Sequence, residues 1–122
     1  MARPKKLNVK EKTESQIIEY NRLLAEASFE HFIHLVFPKQ IFGMVHQELC
    51  QWMTRQDRKA HQLILMPRDH GKSRFAAFYA LWELTRDPTM RILYISNTTT
   101  LAEKQLGFIK DIMQSDTYRM YW

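Results

Sequence analysis

Met66-Pro67-Arg68-Asp69-His70-Gly71-Lys72-Ser73 decides how this chain is read. Leu63-Ile64-Leu65-Met66 leads into it, and Arg74-Phe75-Ala76-Ala77-Phe78-Tyr79-Ala80-Leu81-Trp82 leads away. A β-forming run, a short loop ending Gly-Lys-Ser and an apolar helix make the layout of a phosphate-binding loop. Each residue type has a chemical reason. Gly71 lets the backbone approach a phosphate with no Cβ in the way. The first amides of the following helix have no intrahelical partner and can point at an anion. Lys72 adds a mobile positive charge for β- and γ-phosphates, and the Ser73 hydroxyl is placed to ligate Mg²⁺. Pro67, Arg68, Asp69 and His70 complete the loop. Met66 stands where the full pattern has its first glycine. The plainer alternative is a Gly-Lys turn with a solvated lysine. The β-run before it and the long apolar helix after it favour nucleotide binding.

Outward from the loop, the spacing predicts helices on both sides. Residues 1–12 form a basic, polar tail with Arg3, Lys5, Lys6, Lys10 and Lys12, read as disordered. It is either a DNA-contacting arm or a solubilising tail. Thr13-Glu14-Ser15-Gln16 fits a capping box and opens a helix over 14–27, with Ile17, Tyr20 and Leu24 at helical spacing. Ser28 caps a second helix carrying Phe29, Phe32, Ile33 and Val36, which Phe37-Pro38 ends. His31 and His34 lack companions at ligand spacing and read as ordinary histidines. A third helix spans 44–55, with Val45, Leu49, Trp52 and Met53 on one face. Residues 62–66 read as a strand, 72–86 as a buried helix stopped by Asp87-Pro88, and 91–96 as a second strand. Thr100-Leu101-Ala102-Glu103 reads as a capping box, opening a helix with Ala102, Leu106, Ile109 and Met113 inward.

With 122 residues the chain holds one domain at most. Its 45% hydrophobic and 12% aromatic content argues for a folded chain. A net charge of +5 leans toward a polyanionic partner. The single cysteine, Cys50, excludes an internal disulfide and fits a reducing compartment, with helix packing as its role. No apolar run approaches membrane-spanning length, and no hydrophobic segment follows the basic N-terminus as in a secretory signal. The expectation is a cytoplasmic protein with no membrane partner.

The loop form Arg-x-x-Gly-Lys-Ser, present as Arg68 to Ser73 without the first glycine, resembles the variant phosphate loop of bacteriophage terminase large subunits. Those are the ATPases that drive DNA into proheads. Ile92-Leu93-Tyr94-Ile95-Ser96-Asn97-Thr98, followed by Ala102-Glu103 and Leu106-Gly107-Phe108-Ile109, resembles the second strand and helix of the same ATPase domain. The resemblance covers residues 29–113. It implies ATP and Mg²⁺ as cofactors, with Pro67, Arg68, Asp69, His70, Gly71, Lys72 and Ser73 around the phosphates. Arg68 and Lys72 are the implied catalytic residues, Arg68 acting on charge that develops at the γ-phosphate, and Ser73 is the implied metal ligand. His46-Gln47 resembles the adenine-recognising segment of such ATPases, where Gln47 would read the adenine edge and Phe37 or Phe42 would stack on the base. The implied partners are double-stranded DNA, a portal protein, a terminase small subunit and further copies in a homo-oligomeric ring, in the host cytoplasm.

The fold expected from strand–helix–strand–helix order is α/β, with parallel strands and flanking helices. With the resemblance it becomes an incomplete P-loop NTPase domain of the ASCE/RecA-like kind: a tail at 1–12, N-terminal helices at 13–60 and the first part of the ATPase core at 61–122. Strands bearing the acidic Mg²⁺ and water-activating residues normally lie between the two strands read here. No strand after Ser96 ends in such a pair, since Asp111 and Asp116 lie on or beyond the last helix, and the terminase nuclease domain is absent. The chain thus looks like the N-terminal part of a longer terminase, and its two strands are expected to leave edges open or to pair with each other. An open apolar edge invites association. The rival readings are another P-loop enzyme, helicase-like or a small kinase, and a non-catalytic basic DNA-binding module whose binding ignores ATP.

Overall fold

The computed structural model describes residues 9–57, 61–66 and 71–122. Its helices are α1 (Val9–Ala27), α2 (Phe29–Val36), α3 (Met44–Met53), α4 (Lys72–Arg86), α5 (Thr99–Gln114) and α6 (Asp116–Tyr121). α1 already runs at Val9, so Thr13 sits inside the helix and does not cap it. The Lys and Glu residues around it are good helix formers and carry the helix past that signal. Ser28 is the N-cap of α2, its hydroxyl accepting from the His31 amide at 3.3 Å. α3 stops at Met53, short of the expected 55, where the Thr54 hydroxyl turns back to donate to the Cys50 carbonyl at 2.8 Å. α4 has the expected bounds. Thr98, two residues before the expected cap, caps α5 by accepting from the Leu101 amide at 3.2 Å. α6, which had no counterpart in the sequence reading, is capped by Ser115.

α4 is the centre of the packing. Phe75, Ala77, Phe78, Ala80, Leu81 and Trp82 are all buried. Phe29 of α2 meets Trp82 at 5.3 Å and Tyr79 edge-on at 5.6 Å between ring centroids. The Trp82 indole N–H donates to the Ala25 carbonyl at 2.9 Å, tying α1 to α4. On the other side Phe108 of α5 packs on Phe78, and the Thr85 and Tyr118 hydroxyls share a hydrogen bond of 2.8 Å. Trp122 closes the ring of helices, packing on Phe32 and donating to Glu26. Burial of these large rings is the main favourable term, at roughly 2–3 kcal/mol for each fully buried aromatic side chain.

The expected α/β architecture does not form. Among the described residues there is no strand, so the chain is not the α/β P-loop domain with parallel strands that the sequence order suggests. The physical reason lies in the two β-forming runs. A strand sends its N–H and C=O groups sideways and exists only if a neighbour meets them. Residues 63–66 and 91–96 make no backbone hydrogen bond to each other or to any other described residue. In α5, Ile109 and Ile112 are the buried residues, while Leu106 and Met113, expected inward, are 48% and 41% exposed. Likewise Ile17 and Tyr20 of α1 and Val45 of α3 are exposed, and Cys50 joins Leu49 and Met53 on the buried face of α3.

Candidate functional site

Gly71 is the N-cap of α4, at φ 78° and ψ 20°. That is the left-handed region, open to glycine and costly for residues with a Cβ. A Cβ there would also approach the Phe75 ring at 3.6 Å. The turn lets the Gly71 carbonyl accept the first helical bond, from the Phe75 amide at 2.9 Å. Among the described residues no side chain caps the amides of this first turn. At α2, α5 and α6 a hydroxyl of Ser28, Thr98 or Ser115 turns onto the helix start. α3, like α4, starts at a glycine without a side-chain cap, and there His46 Nδ1 accepts from the Gly43 amide at 2.9 Å. α4 differs from α3 in the left-handed turn of its glycine and in its greater length, and its start carries the positive end of the helix dipole.

Lys72 and Ser73 follow directly, both exposed. They border a cavity of about 240 Å³ whose other walls are Leu49, Met53, Ile64, Phe75, Ala76 and Tyr94. Those walls carry no Asp or Glu. Arg74 brings a second cation to the same turn. Its guanidinium lies 5.6 Å from the Phe37 ring and 5.5 Å from the Phe108 ring, and donates to Gln40 Oε1 at 3.4 Å. An arginine in the first turn of a motif-bearing helix was the available signal. The aromatic partners come from α5 and from the loop after α2, and no local pattern showed them.

The expected base-binding residues divide. His46 stacks flat on Phe75 at 5.0 Å, with 4° between the rings, and Phe42 meets Phe75 edge-on at 5.5 Å. Both are therefore held against the first turn of α4. Because Nδ1 of His46 accepts a hydrogen bond, its neutral ring carries the proton on Nε2. Gln47 is exposed on α3, and Phe37 is engaged with Phe78 and Phe108. Pro67, Arg68, Asp69 and His70 lie outside the described residues. So do residues 1–8 of the basic tail.

The remaining titratable groups suit structure better than chemistry. Burial pushes the Cys50 thiol up to about 12, with the nearby Glu30 charge adding to the shift, so it is no nucleophile at neutral pH. The Thr89 hydroxyl and amide hold the Asp87 carboxyl below its usual range, at the far end of α4 from Lys72. His34 lies 3.8 Å from Glu30, and His31 Nε2 is buried without a hydrogen-bond partner. Among the described residues no three His, Cys, Asp or Glu side chains gather as a metal site, and no helix is long and apolar enough to cross a membrane. No family model, no curated protein and no solved structure matches the chain.

Proposed function

We propose that the start of α4 binds the phosphates of ATP with Mg²⁺, and that the chain is the nucleotide-binding part of a terminase-like motor that moves double-stranded DNA. The observation that carries this is the Gly71 turn: left-handed, uncapped, and followed by exposed Lys72 and Ser73 at the head of a buried helix. In this reading the first amides of α4 meet phosphate oxygens, Lys72 neutralises the β- and γ-phosphates, and Ser73 ligates Mg²⁺. Arg74 adds positive field to the same turn. Arg68 keeps the role implied by the resemblance, stabilising charge on the transferred phosphoryl group. A portal protein, a small terminase subunit and further copies in a ring are the partners of such a motor.

Phosphoryl transfer to water also needs a group that positions the water. The chain is therefore expected to bind nucleotide weakly and to release little phosphate from it. A titration of the chain with MgATP tests the reading. Binding that disappears in Lys72→Ala, with an unchanged circular dichroism spectrum, supports it. Equal affinity in both proteins would reduce the turn to an ordinary helix start. Duplex DNA binding that is salt-dependent and indifferent to both ATP and Lys72 would favour the plain basic DNA-binding module.

A further inference from the structure

A second cavity lies at the far end of α4. It holds about 440 Å³ and is walled by Ala27, Thr54, Arg55, Gln56, Trp82 and Arg86. It shares no residue with the Lys72 cavity, and a helix roughly 20 Å long separates the two. Two of its walls are arginines, and none is Asp or Glu. Each guanidinium lies on a tryptophan. Arg55 is 4.1 Å from the Trp52 ring centre, and Arg86 is 4.2 Å from that of Trp82. Stacking uses the flat face of a guanidinium and leaves its in-plane N–H groups for other partners. Those groups are only partly engaged. Nη1 of Arg55 donates to the Trp52 carbonyl at 2.6 Å, and its Nε lies 3.6 Å from Asp57, a carboxylate largely in water. Nη1 of Arg86 donates to Glu83 at 3.5 Å. Among the described residues, Nη2 of Arg55 and the Nε–Nη2 edge of Arg86 donate to no acceptor.

We infer that this cavity binds a phosphate dianion, free or as the head of a small phosphate monoester. Two guanidinium groups on one cavity favour a doubly charged ligand over a singly charged one. A tetrahedral phosphate presents oxygens in several directions and can accept from both arginines at once. A planar carboxylate matches a single fork. The platform under Arg86 is fixed before a ligand arrives, because Trp82 is 4% exposed and its indole N–H is tied to the Ala25 carbonyl at 2.9 Å. A cation in the last turn of α4 also suits the helix dipole, but a lysine would serve that purpose equally. The stacked forks are what an oxyanion uses. The inference is independent of nucleotide binding at Lys72, which lies at the other end of the helix.

Calorimetric titration with inorganic phosphate and with glycerol 3-phosphate, at constant ionic strength, is the test. It is run on the full chain and on Lys72→Ala, which removes the cation at the other end of α4. A phosphate site is expected in both proteins, with acetate at least about tenfold weaker. Tighter binding of the monoester assigns the site to an organic phosphate, and tighter binding of the bare ion assigns it to free phosphate. The double variant Arg55→Gln, Arg86→Gln should lose the site at an unchanged circular dichroism spectrum. Arg86→Lys keeps the charge at the helix end and loses the fork, and should weaken phosphate at least about tenfold. Phosphate binding that vanishes in Lys72→Ala and persists in both arginine variants overturns the inference. So does acetate binding as tight as phosphate, or full phosphate affinity in Arg86→Lys. A chain that takes phosphate here and fails to bind MgATP would sink the reading of the Gly71 turn and leave this one standing.

Discussion

α4 and the two runs on either side of it in sequence are all rich in apolar residues, yet α4 is packed while the outer residues of the runs are not. Phe75, Phe78 and Leu81 of α4 are fully buried, whereas Leu63, Leu65, Leu93 and Ile95 stand in water. The difference is not hydrophobicity but where each element finds its hydrogen bonds. A helix closes its bonds within itself, so α4 needs only an apolar surface to pack against, and α1, α2 and α5 supply one. A strand closes its bonds on a neighbour, and no described residue serves as one. Sequence pattern alone does not carry a strand.

The sharpest way to break this comparison is to attack the satisfied side. Phe78→Ala removes a ring that touches Phe37, Phe75 and Phe108. It should cost about 3–5 kcal/mol, much of the stability of a chain this size, and show as a large fall in melting temperature. A loss below about 1 kcal/mol would mean that α4 is not the centre of the packing. A smaller expected effect concerns binding at the open end of the same helix. Lys72→Ala should weaken MgATP at least about tenfold, equivalent to about 1.4 kcal/mol, while leaving the melt alone. Read together, the two variants separate the core role of α4 from the ligand role of its first turn.

Alkaline pH probes the packed side through Cys50. The thiol is held protonated in the fold up to about 12, while an unfolded thiol ionises near 9. The unfolded state therefore binds fewer protons between those values. Stability should fall as pH rises through that window, by up to about 1.4 kcal/mol per unit. Below pH 9 the group should contribute no slope. Denaturant midpoints of wild type and Cys50→Ala across this range check the sign, since the variant should lose this part of the slope. A thiol reagent that labels the native chain rapidly at pH 8 would contradict the burial itself.

What could be read from the chain divides along the same line as the comparison. The bounds of α4, the Ser28 cap and the stop at Phe37-Pro38 follow from local chemistry, and local chemistry determines them. The helix start after Gly71 is legible for the same reason, but the left-handed angle of Gly71 is not, since Gly43 precedes α3 at an ordinary φ of -95°. The strands at 62–66 and 91–96 were misread because β-forming side chains state a preference, and pairing partners grant or refuse it. Helical spacing expects Leu106 and Met113 inward with Ile109, but Ile109 and Ile112 are the α5 residues that find a buried surface. Arg74 between Phe37 and Phe108 was invisible because its ring partners are distant in sequence.

Capping gives a graded check between these extremes. Thr98→Ala removes the hydroxyl that accepts from the Leu101 amide and should cost about 1 kcal/mol in a melt. Thr100→Ala should cost a few tenths at most, because the cap stands at Thr98. A larger loss at Thr100 would restore the sequence-based start of α5.

A similarly small expected effect is the most direct test of the unsatisfied side. Leu65→Ser, measured in dilute solution, should change unfolding free energy by no more than about 0.5 kcal/mol. The reasoning is short. Hydrophobic stabilisation scales with the area taken out of water on folding, and 82% of Leu65 is never taken out. Serine also lowers β preference, but a residue with no ladder partner among the described residues has no pairing energy there to lose. Ile64→Ser, one residue away on the half-buried side of the same run, should cost more, because Ile64 borders the cavity against α3 and α4. A Leu65 variant that loses as much as the Ile64 variant would mean that the run is covered on both faces in the folded monomer. The contrast between α4 and its flanking runs would then collapse.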